Sequence, residues 1–281
     1  MRLLLALGAA AACVVFAPQA MSASDSAGPT SVEIPLAQGR LRAFLFRPEG
    51  AGPFPAIVGL HACGGISNNR FPILTRYRDW GVRLAKAGFV VLYPDSYGSR
   101  GLGSQCTVGR RAIRSNRERV ADANAARQWL QQQPWVAHDR ISLLGWSNGG
   151  ITTLSAVRPN AAIKDGSADF RSAVALYPGC RQLFKTAWSA RVPTLILIGR
   201  ADDQTPAAAC EQMVAGARGR SARVVIHVYP RAYHDFDHPS RPVHVRTGYA
   251  FSVDGSGRVH TGTNSSARTD ALKRIPQWLA Q

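Results

Sequence analysis

The 281-residue sequence is short of acidic residues, of cysteines and of long apolar runs. Its 17 aspartates and glutamates stand against 34 lysines and arginines, which gives a formal net charge of +17. Its five cysteines include no Cys-x-x-Cys pair, so we expect no structural zinc site. After residue 23 no apolar run is long enough to cross a bilayer. With no internal repeat and no obvious linker, these absences favour one globular domain.

The excess of positive charge raises the question of nucleic-acid binding, because affinity for phosphates grows with the number of basic contacts. Most of the arginines are scattered along the chain, and the one dense cluster spans residues 110–119. That cluster contains no aromatic residues for base stacking. We therefore expect no nucleic-acid partner and interpret the cluster as a solvated helix face. Attraction to acidic substrates or surfaces stays open.

The N-terminus carries the one long apolar run. Met1 and Arg2 precede a run that extends to Ala17, and small residues suitable for cleavage follow near residue 23. This pattern predicts a secretory signal peptide over residues 1–23, followed by a single domain over residues 24–281. We expect the mature protein to be periplasmic or extracellular, without stable membrane insertion after cleavage. The sequence does not predict an oligomeric state.

Four cysteines remain after the predicted cleavage: Cys63, Cys106, Cys180 and Cys210. In an oxidising compartment, cysteines favour disulfides over free thiols. Four cysteines allow three connectivities, and their spacing does not choose among them.

Strand patterns and helix patterns alternate along the predicted domain, after an initial β-hairpin. The expected strands are 31–36, 41–47, 55–60, 89–93, 140–144, 171–177, 193–198 and 222–229. The expected helices are 75–87, 110–133, 150–157, 206–217 and 264–279. Continuously apolar strands belong to a parallel sheet that helices cover. We therefore predict an α/β fold with a mostly parallel sheet of about eight strands and helices on both faces, and an excursion over residues 241–263 near the site.

The most informative motif is the Gly-x-Ser-x-Gly segment from Gly145 to Gly149. It follows a short apolar strand at 140–144 and precedes a helical pattern at 150–157. A strand–turn–helix junction of this kind strains the backbone of the central serine and exposes its hydroxyl group. The motif predicts Ser147 as a catalytic nucleophile and the chain as an ester or amide hydrolase.

A serine nucleophile needs a histidine base and a carboxylate that orients the base. In this fold the acid and then the histidine follow the nucleophile along the chain, each in a loop after a strand. Asp202 follows the 193–198 strand and is our candidate acid, with Asp203 as the alternative. His234 follows the last strand and is our candidate base. A metal site at His234 and His238 is disfavoured by the proline after His238, which opposes the helix that their spacing needs.

The oxyanion of the reaction needs two backbone N–H donors. One is the amide of Asn148, directly after the nucleophile. The second is expected in the loop His61-Ala62-Cys63-Gly64-Gly65, after the third strand. Cys63 is the first candidate for this donor, and Ala62 is the second.

Together these motifs resemble the dienelactone hydrolase family of α/β-hydrolases. The residues that carry the resemblance are His61–Gly65, Tyr93–Gly98 with Arg100 and Gly101, Gly145–Gly149, Tyr177–Gly179, Gly199–Pro206 and Tyr233–Phe236. The resemblance implies a triad of Ser147, Asp202 and His234, a small-molecule ester or lactone substrate, and no cofactor or metal. Dienelactone hydrolase proper has a cysteine nucleophile where this chain has Ser147, so a broader carboxylesterase is expected.

Placed on this fold, the cysteines suggest the pairs Cys63–Cys106 and Cys180–Cys210, in loops after neighbouring strands. We also expect an ion pair between Asp95 and Arg100. Two competing functions are a non-catalytic protein of the same fold that binds an anionic partner, and a peptidase.

Overall fold

A computed structural model describes residues 28–163 and 166–281 of the chain. The predicted signal peptide, residues 1–23, lies outside the described residues. The strands are β1 (Thr30–Pro35), β2 (Arg40–Phe46), β3 (Phe54–Leu60), β4 (Val90–Pro94), β5 (Val136–Trp146), β6 (Ala173–Leu176), β7 (Thr194–Gly199), β8 (Val224–Tyr229), β9 (His244–Arg246) and β10 (Val259–Thr261). The α-helices are α1 (Thr75–Lys86), α2 (Glu118–Gln131), α3 (Asn148–Ala156), α4 (Arg181–Lys185), α5 (Ala207–Gly216) and α6 (Ser265–Leu279).

Eight strands form one sheet in the order β1-β2-β4-β3-β5-β6-β7-β8. The pairs β1–β2 and β2–β4 are antiparallel, and every later pair is parallel. Every residue of β4, β6 and β7 is buried, as in a parallel sheet that is covered by other elements. The expected α/β-hydrolase fold with a mostly parallel eight-stranded sheet is confirmed.

This topology brings the candidate residues to one edge of the sheet. Parallel strands place their carboxyl ends at the same edge, where α/β proteins bind ligands. Cys63 follows β3, Ser147 follows β5, Asp202 follows β7 and His234 follows β8. Four segments that are far apart in sequence therefore converge there.

The expected excursion forms a small two-stranded sheet of β9 and β10. It is attached to the acid loop through Asp203, whose carbonyl accepts a hydrogen bond from the Val253 amide. The Asp203 carboxylate also accepts one from the His260 amide, at 2.9 Å. On its other side the excursion contacts the histidine loop, since the Gly262 amide donates to the His234 carbonyl.

The interpretation of residues 110–119 as a helix face is wrong, and Arg119 is not solvated, although Arg110, Arg114 and Arg117 are exposed as expected. Helix α2 begins only at Glu118, and residues 110–117 form an irregular segment before it. Arg119 is completely buried, and Arg111 and Arg114 line a cavity. The apolar positions of α2 start at Val120, so nothing upstream packs as a helix against the sheet.

The expected ion pair between Asp95 and Arg100 is also wrong. Asp95 instead pairs with Arg42 at 2.6 Å, because β2 runs antiparallel beside β4 and places Arg42 opposite Asp95. Arg100 pairs with Asp122 on α2 at 2.7 Å. Both partners are distant in sequence, so spacing along the chain could not indicate them.

Candidate active site

Ser147 occupies the sharp turn between β5 and α3. Its backbone has φ 51° and ψ −111°, a conformation that a residue with a side chain rarely adopts. The turn needs glycine at positions 145 and 149. A Cβ at Gly149 would overlap the Leu60 carbonyl oxygen, and a Cβ at Gly145 would overlap the Gly149 carbonyl. The Ser147 amide donates to the Leu176 carbonyl at 2.9 Å, which anchors the turn to β6. Local sequence and long-range packing therefore both select glycine beside the serine.

Asp202 and His234 are in direct contact. The distance from His234 Nδ1 to Asp202 Oδ2 is 2.7 Å, and both side chains are buried. Because a carboxylate only accepts hydrogen bonds, Nδ1 carries the proton and donates it to Asp202. Nε2 is then the basic nitrogen, and it has no hydrogen-bond partner among the described residues. This is the tautomer that a general base requires.

Charge around His234 favours its protonated form. Burial alone would lower the pKa of His234, but the adjacent Asp202 carboxylate, together with the charge of Asp235, outweighs that effect and raises the pKa above its usual value. Asp202 itself is held by the amides of Gln204 and Thr205, at 3.0 and 2.8 Å, and by the Thr205 hydroxyl at 2.9 Å.

The structure brings Asp202, and not Asp203, to His234. Asp203 forms a separate pair with His260, with 2.7 Å between its Oδ2 and His260 Nδ1. The ring of Tyr233 stacks on His260 with 4.9 Å between centroids. This second aspartate–histidine pair joins the acid loop to the excursion.

The candidate oxyanion donors lie in the loop after β3 and at the start of α3, and β3 lies on the opposite side of β5 from β7 and β8. The Ala62 amide donates to the Tyr77 hydroxyl at 2.8 Å, so it is already engaged. The Cys63 amide donates to no described residue. Asn148 is the first residue of α3, where a helix leaves its N–H groups without intrahelical acceptors. Of the two sequence candidates in the loop after β3, Cys63 is therefore the one with an available donor.

Two disulfides brace this edge of the sheet. Cys63 is bonded to Cys106, and Cys180 is bonded to Cys210, which is the pairing hypothesised from sequence. Cys63 and Cys180 also line the cavity.

The cavity in front of Ser147 has a volume of about 900 Å³. Ser147, Asn148 and Cys63 line it together with Phe251 from the excursion. Its charged lining residues, within the part of the chain that the structure describes, are all arginines: Arg111, Arg114, Arg158 and Arg181. Such a cavity attracts anionic ligands and focuses their approach.

Sequence reasoning missed two buried residues that organise the site. Asp237 accepts hydrogen bonds from Trp80, Trp146 and Tyr177 at 2.6–2.8 Å, and so ties the histidine loop to the residue before Ser147. Arg119 contacts both oxyanion loops.

The position of Arg119 on α2 carried a usable signal. Arg119 lies on the same helical face as Ala123, Ala126 and Leu130, at spacings of four, seven and eleven residues. Because these three residues are apolar, their face of the helix predicts that the Arg119 side chain points toward the protein interior. No comparable pattern surrounds Asp237.

Comparisons with protein families, with curated proteins and with solved structures agree with one another. A model of the dienelactone hydrolase family matches residues 41–281. A candidate carboxymethylenebutenolidase of Methylorubrum extorquens is 29% identical over 250 residues, which cover 85% of this chain and 83% of that protein. A candidate dienelactone hydrolase structure from Klebsiella pneumoniae superposes with a TM-score of 0.68 at 22% identity, covering 90% of this chain and 98% of that one. The structure of Thermogutta terrifontis esterase 2 phosphorylated by paraoxon superposes with a TM-score of 0.62 at 16% identity, covering 93% of this chain and 97% of that one.

Proposed function

Because the chain belongs to the dienelactone hydrolase family of carboxylic ester hydrolases, we propose that it is a serine hydrolase that cleaves an ester or lactone through an acyl-enzyme. The observation that carries the proposal is the 2.7 Å contact between His234 and Asp202, which leaves Nε2 of His234 as a base at the edge of the sheet that holds Ser147. An acid, a base and a strained serine in this chain order suit acyl transfer.

In the proposed reaction, Ser147 Oγ attacks the substrate carbonyl carbon while His234 Nε2 accepts the hydroxyl proton. Asp202 stabilises the imidazolium that forms. The negative charge on the former carbonyl oxygen is held by the amides of Cys63 and Asn148. His234 then returns the proton to the leaving alcohol oxygen. Water deacylates Ser147 by the same steps, which regenerates the free serine and releases the acid.

A serine nucleophile distinguishes the chain from dienelactone hydrolase proper, whose nucleophile is a cysteine. A serine hydroxyl has almost no intrinsic ionisation at neutral pH, so it depends on a general base more than a thiol does. The buried contact between Asp202 and His234 suits that need. We propose that its substrates are not limited to dienelactones.

The arginine-lined cavity suits a substrate that carries negative charge. Arg111, Arg158 and Arg181 can pair with a carboxylate on the acid or the alcohol part, whereas Arg114 is already paired with Glu118 at 2.9 Å. The name of the Methylorubrum extorquens relative describes a lactone with a carboxymethylene group, which fits the same charge. We therefore propose a small anionic ester or lactone.

Export is also a proposal. Two disulfides form within the described residues, and disulfides persist in oxidising compartments. No helix among the described residues is long and apolar enough to span a membrane. The disulfides are compatible with a periplasmic or extracellular protein.

Replacement of the proposed nucleophile tests this function. Ser147→Ala should lower turnover of a chromogenic short-chain ester by about a millionfold, the loss known for a serine protease without its serine. The assay should pair a neutral ester with the same ester carrying a carboxylate, and the anionic one should show the lower KM at low salt.

A fluorophosphonate probe provides the second measurement, since only an activated serine reacts with it. We expect labelling of the wild type and none of Ser147→Ala. A wild-type protein that neither labels nor turns over esters would instead be a non-catalytic binding protein. Cleavage of peptides in preference to esters would indicate a peptidase.

A further inference from the structure

Arg119 is completely buried and bridges the two segments of the proposed oxyanion hole, the loop after β3 and the start of α3. Its Nη1 donates to Asn148 Oδ1 at 2.5 Å, and its Nη2 donates to the His61 carbonyl oxygen at 2.7 Å. Asn148 supplies one proposed oxyanion donor, and His61 lies two residues before Cys63, which supplies the other. One guanidinium group therefore fixes both loops relative to each other.

A second contact supports the same arrangement. The Tyr97 hydroxyl donates to Asn148 Oδ1 at 3.0 Å, so two donors hold the side chain of Asn148. The Tyr97 ring also lies 5.1 Å from the Arg119 guanidinium carbon. Because both groups are buried, the orientation of the first residue of α3 is set by contacts with the loop after β4 and with α2.

Burial of the charged Arg119 side chain lowers the stability of the fold. No carboxylate among the described residues lies within ion-pair distance of it, and the nearby Asp122 is engaged by Arg100 through two hydrogen bonds. Arg119 also lies in the first turn of α2, where the helix dipole disfavours a cation. Burial lowers the pKa of Arg119 from its usual value, although an arginine still remains protonated.

A buried, unpaired cation costs stability unless a negative charge can approach it. Negative charge develops beside the Cys63 and Asn148 amides when the carbonyl oxygen becomes an oxyanion. We propose that Arg119 is a positioning residue for the oxyanion hole, which aligns the two amides and favours the oxyanion over the neutral ester. This inference rests on the proposed serine hydrolase function.

The experiment compares Arg119→Met with Arg127→Met. Arg127 is a buried arginine on the same helix, and it donates to the Ala168 carbonyl and to Ser167, away from the oxyanion loops. Both variants should lose stability. Arg119→Met should also lower kcat by about 10- to 100-fold, somewhat less than the loss of a direct oxyanion donor. Its KM should stay within about twofold, while Arg127→Met keeps the wild-type kcat.

A transition-state analogue separates alignment from general weakening. A trifluoromethyl ketone matched to the substrate forms a tetrahedral adduct with an oxyanion, whereas the carboxylate product does not. In Arg119→Met, affinity for the ketone should fall in proportion to kcat, and affinity for the product should not change. Arg119→Lys keeps the charge but offers one nitrogen to two acceptors, so it should recover part of kcat.

The outcomes distinguish the two proposals. If Ser147→Ala abolishes turnover but Arg119→Met keeps the wild-type kcat per labelled site, Arg119 is only structural and this inference is wrong. If Ser147→Ala keeps turnover, the proposed function fails and the inference fails with it. If Arg119→Met does not fold, Arg119→Lys decides: an unchanged kcat and ketone affinity contradict the inference, and a parallel loss of both supports it.

Discussion

The two sides of Ser147 differ in how their charges are compensated. The acid–base side, formed by Asp202, Thr205 and His234, contains a carboxylate in direct contact with its histidine partner. The oxyanion side, formed by His61, Cys63, Arg119 and Asn148, contains a buried cation whose partners are neutral oxygens. Before substrate arrives, the proposed acid–base side already holds its carboxylate with hydrogen bonds from His234 and Thr205, and the imidazolium forms only in the reaction. On the proposed oxyanion side, the Arg119 cation has only neutral hydrogen-bond acceptors until negative charge develops in the reaction.

The difference predicts unequal responses to the loss of a charge. On the acid–base side, a substitution breaks a pair that already exists and changes the tautomer of the base. On the oxyanion side, a substitution removes a preorganised field that acts mainly in the transition state. Substitutions on the acid–base side should therefore lower kcat more than substitutions on the oxyanion side.

The largest expected effect in this comparison comes from Asp202→Asn. An asparagine can donate to Nδ1 of His234 and so favour the tautomer with the proton on Nε2, which cannot accept the serine proton. We expect kcat to fall by about 10⁴-fold, as in a serine protease with the same change. Asp203→Asn is the matched control, because Asp203 contacts His260 and not His234. Steady-state kinetics on one ester would reverse our assignment if Asp203→Asn proved to be the damaging variant.

The acid–base side was also the more predictable side from sequence. Chain order and the position of loops after strands indicated Asp202 and His234 without any knowledge of side-chain contacts. The two residues are in contact because they lie on loops after β7 and β8, which are adjacent in the sheet. Sequence left Asp203 open, since only the three-dimensional turn shows which carboxylate faces the histidine.

On the oxyanion side, sequence indicated Cys63 and Asn148 but not the contacts that Arg119 makes with their segments. Arg119 and Asn148 are 29 residues apart, and Arg119 and His61 are 58 apart. Composition suggested a solvated arginine cluster, and Arg119 departs from it because this residue is buried against Tyr97 and the loop after β3. The predicted ion pair between Asp95 and Arg100 was wrong for the same reason. Their actual partners, Arg42 and Asp122, are distant in sequence.

A smaller effect should separate the two disulfides. The Cys63–Cys106 bond spans 43 residues and the Cys180–Cys210 bond spans 30, so the chain-entropy model gives each a similar contribution of about 4 kcal/mol. Only the first bond includes a proposed oxyanion donor. Cys63→Ser/Cys106→Ser should lower kcat by about tenfold, less than loss of a donor itself.

The matched double variant is Cys180→Ser/Cys210→Ser. It should lose a comparable amount of stability in denaturant titrations while keeping kcat within about twofold, because Thr205 and the Gln204 amide still hold Asp202. Equal losses of kcat in the two double variants would show that the bridges act only through global stability, and would weaken the distinction between the two sides.

The smallest effect should be a shift in the pH profile, and its direction follows from the pKa of His234. The base works only when it is deprotonated, so kcat/KM should fall as the pH drops through the pKa of His234. Because Asp202 raises that pKa above the ordinary 6.5, the fall should begin at a higher pH than for an isolated histidine. Burial and Arg119 hold the pKa of His61 well below that range, and burial lowers the pKa of His238 to about 4, so neither should mask the transition.

Removal of the carboxylate should reverse this shift. In Asp202→Asn the residual activity should show its acidic limb at lower pH than the wild type, because burial then acts on His234 without the compensating charge. Arg119→Met removes a cation from the other side of Ser147 and should leave the limb nearly where it is in the wild type. A limb that moves as far in Arg119→Met as in Asp202→Asn would mean that the two sides share one electrostatic field, and that the separation drawn between them is wrong.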